Sequence, residues 1–348
     1  MTVTAAPAIV SGTADLRRPA LVRTSWLVAG VGALLVLCVL SVSFGSRVVS
    51  IDDIFAALSG HSDTISQAAV VKRIPRTVLA ILVGAALALS GATMQAVTRN
   101  PIADPGILGV TNGASFAIVL GIAFVGITHP LAYMGFAVVG AAAAAVFVYL
   151  VGSLGRGGAT PLKLALAGAA TSAAFASLIS AIMLPRVDIL GTFQAWQIGG
   201  VGGADWSRMA MAAPVLALGA LICLASARGM NSLALGDDMA AGLGENVAQT
   251  RMLSALGAVI LAGVATAIAG PIGFVGLVVP HMCRMLIGSD HRWLLPFSAL
   301  AGAALLIASD IIGRVLSPTE EIQVGIVTAV IGAPVFIWIV RRQKVREL

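Results

Sequence analysis

The chain has 348 residues, of which 59% are hydrophobic and only 10% charged, whereas a soluble domain carries roughly a quarter of its residues as Asp, Glu, Lys and Arg. That composition, with a mean hydropathy of +1.01, excludes an ordinary globular protein. The formal net charge of +6 does not mark a nucleic-acid binder either, because Lys and Arg sit singly between apolar runs and near the termini, with no basic-aromatic stripe.

Apolar runs long enough to cross a hydrocarbon core of about 30 Å predict an all-α, polytopic membrane protein with one transmembrane domain over 1–348. The expected spans lie near 26–44, 74–98, 106–127, 131–152, 161–183, 208–227, 251–269, 271–288, 294–316 and 320–341. Arg17, Arg18 and Arg23 ahead of the apolar stretch Trp26 to Leu40, with Ser41 and Ser43 after it, resemble a secretory signal. A retained first span makes better sense of every later one. With residues 1–25 as a cytoplasmic tail, two-thirds of the Lys and Arg fall on the cytoplasmic side, as the positive-inside rule demands. An even number of spans then leaves Arg341, Arg342, Lys344 and Arg346, around the tail 342–348, in the cytoplasm.

Helix-start chemistry supports several boundaries: Asp104 followed by Pro105, and Ser317, Pro318 and Glu320 in a capping-box pattern. Two stretches fit no span. Leu190 to Trp206, rich in Gly and Trp, is expected to be an external re-entrant or interfacial segment. Asn231 to Gln249 is acidic and broken at Gly236, Gly242 and Gly244, so it predicts short helices in a cytoplasmic loop of the kind that binds a partner.

The chain has no GxxxxGK[ST] loop, so it is not itself an ATPase, and no HExxH pair or evident nucleophile with a base beside it. Cys38, Cys223 and Cys283 lie in apolar segments and read as packing residues; His281 and Cys283, two apart, point to different helix faces and make a poor metal pair. An ion-coupled secondary carrier would need acidic groups at membrane depth, and Asp310 is the one plausible candidate. Small residues dominate Leu164 to Ser180, which fits either tight helix packing or a pathway wall of low stickiness.

Lys72, Arg73 and Arg76 open the second span on the expected external side, against both the positive-inside bias and the helix dipole. Something should compensate them. Arg73 and Arg76 share a helix face and could receive carboxylates from a soluble partner or snorkel to lipid headgroups. Arg314, near the outer end of the ninth span, joins them weakly.

These features sit within four long runs: RIPRTVLAILVGAALALSGATMQAVTRNPIADPGILGVTNGA from Arg73 to Ala114, NSLALGDDMAAGLG from Asn231 to Gly244, GPIGFVGLVVPHMCRMLIGSDHRWLLPFSALAGAALLIASDIIGR from Gly270 to Arg314, and VGIVTAVIGAPVFIWIV from Val324 to Val340. In that order they resemble the FecCD-type permeases of ABC importers, which serve iron-siderophores, haem and cobalamin. The resemblance implies a type II importer permease fold of ten helices in the bacterial cytoplasmic membrane and alternating access. It further implies a second permease subunit, identical or paralogous, two separate cytoplasmic ATPases that bind the ATP and Mg, and an external substrate-binding protein. The chain itself would carry no cofactor, metal or catalytic residue.

By the same resemblance Arg73, Arg76 and Arg314 receive acidic residues of the binding protein. Leu233, Leu235, Gly236, Asp237, Asp238, Ala240, Ala241, Leu243 and Gly244 fall in the coupling helices that press on the ATPase. The turn with Asn100, Pro101, Asp104 and Pro105, and the turn between His281 and Arg292, face the same side and are expected to add to that contact. Gln323 stands where the family commonly has proline, and the segment between Arg314 and Glu321 is unusually polar.

Overall fold

A computed structural model of the protein describes residues 19–45, 49–155, 160–317 and 320–342. Fourteen α-helices form among them: α1 (Ala20–Ser43), α2 (Ile51–Leu58), α3 (Ile65–Thr98), α4 (Val110–Leu120), α5 (Pro130–Ser153), α6 (Pro161–Met183), α7 (Val187–Gln197), α8 (Trp206–Ala225), α9 (Ala227–Leu233), α10 (Asp237–Gly242), α11 (Val247–Ala269), α12 (Val275–Ile287), α13 (His291–Leu316) and α14 (Val324–Arg342). Seven are long and apolar enough to cross a bilayer, and three shorter apolar stretches, at Val110–Val125, Val275–Ile287 and Val324–Ile339, complete the ten expected spans. Arg17, Arg18, Pro318, Lys344 and Arg346 lie outside the described residues.

The bundle is built around α3. A capping box closes its start, with the Thr64 hydroxyl on the Gln67 N–H and the Gln67 side chain back on the Thr64 N–H, and Arg99 in the left-handed region (φ 50°) ends it. Its apolar window is 78% buried, against 6% for α1. At 1.5 Å per residue α3 is about 50 Å long and must project beyond the hydrocarbon. The chain comes closest to it where both partners lack a side chain: a Cβ on Gly84 would strike the Gly302 carbonyl of α13, and one on Gly91 the Gly276 carbonyl of α12.

Three expected spans are interrupted. The stretch 106–127 opens as a 3-10 turn (Pro105–Leu108), breaks at Gly109 (φ 69°) and closes α4 with a π turn (Gly121–Val125). The stretch 271–288 is helical only from Val275, because Gly270 and Phe274 are both left-handed. The last span starts at Val324 rather than at the Ser317 pattern, Ser317 being the C-cap of α13. Asp104 does cap its turn, accepting 2.8 Å from the Gly106 N–H.

The Gly- and Trp-rich stretch is partly helical, contributing most of α7, and then turns back into the molecule. The Gly200 N–H donates to Ala269 O (2.7 Å) and the Gly325 N–H to Gly199 O (3.2 Å). The irregular backbone at 198–203, 269–274 and 322–325 therefore pairs with itself, the condition for breaking helices inside a membrane protein.

Candidate functional site

Two clusters lie at opposite ends of the bundle. At the first, Arg73 and Arg76 project from one face of α3, Asp310 and Arg314 from one face of α13, and Glu321 from the segment before α14. Arg76 Nε donates to Asp310 Oδ1 (2.8 Å), and its Nη1 pairs with Glu321 Oε2. Arg314 Nη2 lies 2.9 Å from Asp310 Oδ2 and 2.9 Å from Ser41 Oγ, and its Nη1 donates to Ser41 O (3.0 Å). With the Ser41 and Thr77 hydroxyls 2.7 Å apart, and Thr77 donating to Arg73 O, the end of α1 is stitched into the network. Arg73 Nη1 donates to Val42 O (2.8 Å) and Ser43 O (3.1 Å).

The sequence reading is corrected here in one respect. Arg73 and Arg76 do not open a helix; they sit two to three turns inside α3, whose capped start is at Thr64. Arg76 is 22 residues from the far end, roughly 33 Å along the axis, which puts it at the opposite edge of the hydrocarbon. The expected compensation comes from Asp310 and Glu321, and it buries the arginines: Arg73 is 7%, Arg76 9% and Arg314 2% exposed. Glu321, its side chain 41% exposed, is the carboxylate closest to solvent. The sequence marks Ser41 only as part of a signal-like pattern and Glu321 only as the end of a polar segment; neither is marked there as a partner of the arginines, since a Glu before a span and a Ser at the end of one are common.

At the other end, the segment between α8 and α11 forms the short helices α9 and α10, separated at Gly236 (φ 109°), a conformation that favours glycine. Asp237, in the first turn of α10, accepts from Arg251 Nη2 at 3.0 and 3.3 Å and pairs also with Arg99. One carboxylate thereby ties α10 to the end of α3 and the start of α11. Partial burial, and then the neighbouring Arg251 charge, push the Arg99 guanidinium below its ordinary range.

Of the expected coupling residues, Leu233 and Ala240 are fully buried, while Leu235 and Leu243 are 57% and 67% exposed. Met239, on α10 between them and 62% exposed, is a further apolar residue of the loop open to solvent. Asn100 and Asp104 shape their own turn, through Asn100 Oδ1 on the Ile102 N–H (3.1 Å) and Asp104 on Gly106, and burial pushes the Asp104 carboxyl up.

A cavity of about 620 Å3 between α3, α5, α8 and α11 has Arg251 of the second cluster in its wall. Its lining is almost wholly apolar, Met94, Ala141, Ala145, Met252 and Leu256 among it, and offers few of the hydrogen bonds a metal chelate would need. The small-residue face of α6 is open: Ala169, Ala170, Ala173, Ala174, Ala176 and Ser177 are exposed. Within this chain that face does not serve tight packing.

A multi-pass helical bundle with glycine-mediated contacts, a re-entrant knot and a braced loop at one end defines an integral membrane transport protein. The FecCD transport family matches residues 33–342, and the chain belongs to it; it is a permease of the cytoplasmic membrane. It is 42% identical over 304 residues (87% of this chain, 91% of the relative) to a probable siderophore transport system permease of Bacillus subtilis. It is 44% identical over 312 residues (89% and 93%) to the ferric enterobactin transport system permease of Escherichia coli. Relatives named for hemin and cobalamin transport stand at 40% and 39% identity. Among solved structures, a chain from an inward-facing transporter assigned to the metal-chelate type superposes with a TM-score of 0.80 at 30% identity, covering 92% of this chain and 99% of that one.

Proposed function

We propose that the chain is the transmembrane subunit of an ABC importer that carries a ferric siderophore or related metal chelate by alternating access. In this reading it pairs with a second permease subunit across the open face of α6, receives cargo from an external binding protein, and is driven by two separate ATPases. The observation that carries the reading is the pinned loop. Leu235, Met239 and Leu243 are exposed apolar residues of this loop, and Asp237 connects α10, which carries Met239, to α3 and α11. In this reading a push on the loop reaches two of the most buried helices of the bundle. Siderophore cargo is favoured over haem or cobalamin by the relatives at 42% and 44% identity, one named for siderophore and one for ferric enterobactin transport.

Arg73, Arg76 and Arg314 remain the proposed docking residues, with Glu321 as the carboxylate that an incoming acidic residue would replace on Arg76. The ion-coupled alternative loses support, because both oxygens of Asp310 face guanidinium groups.

The test is uptake and ATP hydrolysis by the reconstituted importer. Leu243→Asp places a charge on the exposed loop and is expected to abolish stimulation of hydrolysis by loaded binding protein, together with uptake. Unchanged stimulation would remove the coupling assignment. Supplying ferric siderophore, haem and cobalamin in parallel identifies the cargo.

A further inference from the structure

Beside the pinned loop, a second cavity of about 470 Å3 opens between the first turn of α1, α9 and the start of α13, lined by Arg23, Arg228, Asn231, Asp290 and Arg292 among others. Its charges do not balance. Asp290 Oδ2 faces Arg23 Nη1 at 3.3 Å, while its Oδ1 accepts from Asn231 Nδ2 (2.8 Å) and the Arg292 N–H (3.1 Å). Arg292 acts electrostatically on the same Asp290 carboxylate, while Arg228 makes no ion pair within 4 Å among the described residues. Arg23 is only 8% exposed, yet its Nε donates to nothing among the described residues, and a buried, unanswered donor on a guanidinium is costly. Three guanidinium groups and one carboxylate line the cavity, a net positive charge that suits an anion.

The flank of the cavity indicates which anion. Only Arg23 and Ser41 of α1 are buried, and Leu21, Val28, Leu35 and Val39 are 81%, 72%, 62% and 63% exposed, so one face of this helix is apolar and open along its length while Leu27, Leu34 and Leu37 pack on the core. Arg23, in its first turn, sits at headgroup depth, with Trp26 one turn further packed against Phe297, an arrangement typical of the membrane interface. Basic pockets between helices on the positively charged side of a membrane protein suit anionic headgroups.

We propose that this cavity binds the phosphate of an anionic phospholipid from the adjoining leaflet, with the acyl chains lying along the exposed face of α1. Free inorganic phosphate offers the same chemistry but would draw nothing from the apolar flank.

The full-length protein, purified with its partner subunits and stripped of lipid in detergent, is titrated with phosphatidylglycerol, with phosphatidylcholine of the same chains, and with inorganic phosphate. Native mass spectrometry and thermal unfolding are the readouts. Phosphatidylglycerol is expected to be retained and to raise the unfolding temperature. The double variant Arg228→Gln with Arg292→Gln, at two exposed positions, is expected to weaken retention about tenfold or more without changing the lipid-free unfolding temperature. Equal retention of phosphatidylcholine, or an unaffected double variant, would overturn the site. Inorganic phosphate acting as strongly as phosphatidylglycerol would overturn the lipid assignment.

Discussion

Arg76 makes two ion pairs, to carboxylates 234 and 245 positions away in the chain, and the energetics of the outer cluster follow from how deeply each partner is buried. Asp310 is 1% exposed and opposes two guanidinium groups. Removing its charge leaves Arg314 buried without its carboxylate and Arg76 with Glu321 alone, so Asp310→Asn should destabilise the protein by about 3–5 kcal/mol, read as a lowered unfolding temperature in detergent. Glu321→Gln, half exposed, should cost no more than about 1 kcal/mol. If Arg76 is a docking residue, the same change should tighten binding-protein affinity by removing the internal competitor; an unaltered affinity would speak for a purely internal brace. Charge reversal at Arg76 is the poorer experiment, since it sets a carboxylate against Asp310 inside the bundle.

For the helices, close approach decides more than hydropathy does. Gly91 has the Gly276 backbone where its side chain would be, whereas Gly32 in α1 has nothing within 4 Å. Gly91→Ala should therefore displace α12 and destabilise by about 1–3 kcal/mol. Gly32→Ala should be neutral or slightly stabilising. Comparing the folded fraction of the two variants by size exclusion checks the contrast. The helices best anticipated from the sequence were α5, α6 and α8, whose ends coincide with local breakers such as Pro130, Pro161 and Asp205. Those read less well were α4 and α12, because the left-handed turns at Gly109 and Phe274 depend on what packs around them. The start of α3 was placed nine residues late: Ile65 to Arg73 is polar enough to pass for a loop, but it carries a capping box and extends a helix that is already formed.

On the scale of the whole molecule, the chain is unevenly finished. α3 and α11 are wrapped by other helices, while α6, only 17% buried, presents a continuous face of Ala and Ser. A second subunit would complete such a face. Ala173→Trp should accordingly leave the isolated subunit folded while preventing pairing or uptake, measured as the mass of the purified assembly and as transport. Wild-type assembly and uptake from that variant would place the partner elsewhere.

By itself the sequence determined the membrane class, the apolar spans, the family and the broken loop between α8 and α11. Each is a local property, set by hydropathy over a single helix length or by a contiguous motif. Only the tertiary structure decided that Arg76 and Arg314 are satisfied from within, that Met239 is exposed while Leu233 and Ala240 are buried, and that Arg23 is buried with an unanswered donor. Ion pairs and burial depend on which helices become neighbours, and the residues that meet in these clusters are separated by as many as 273 positions.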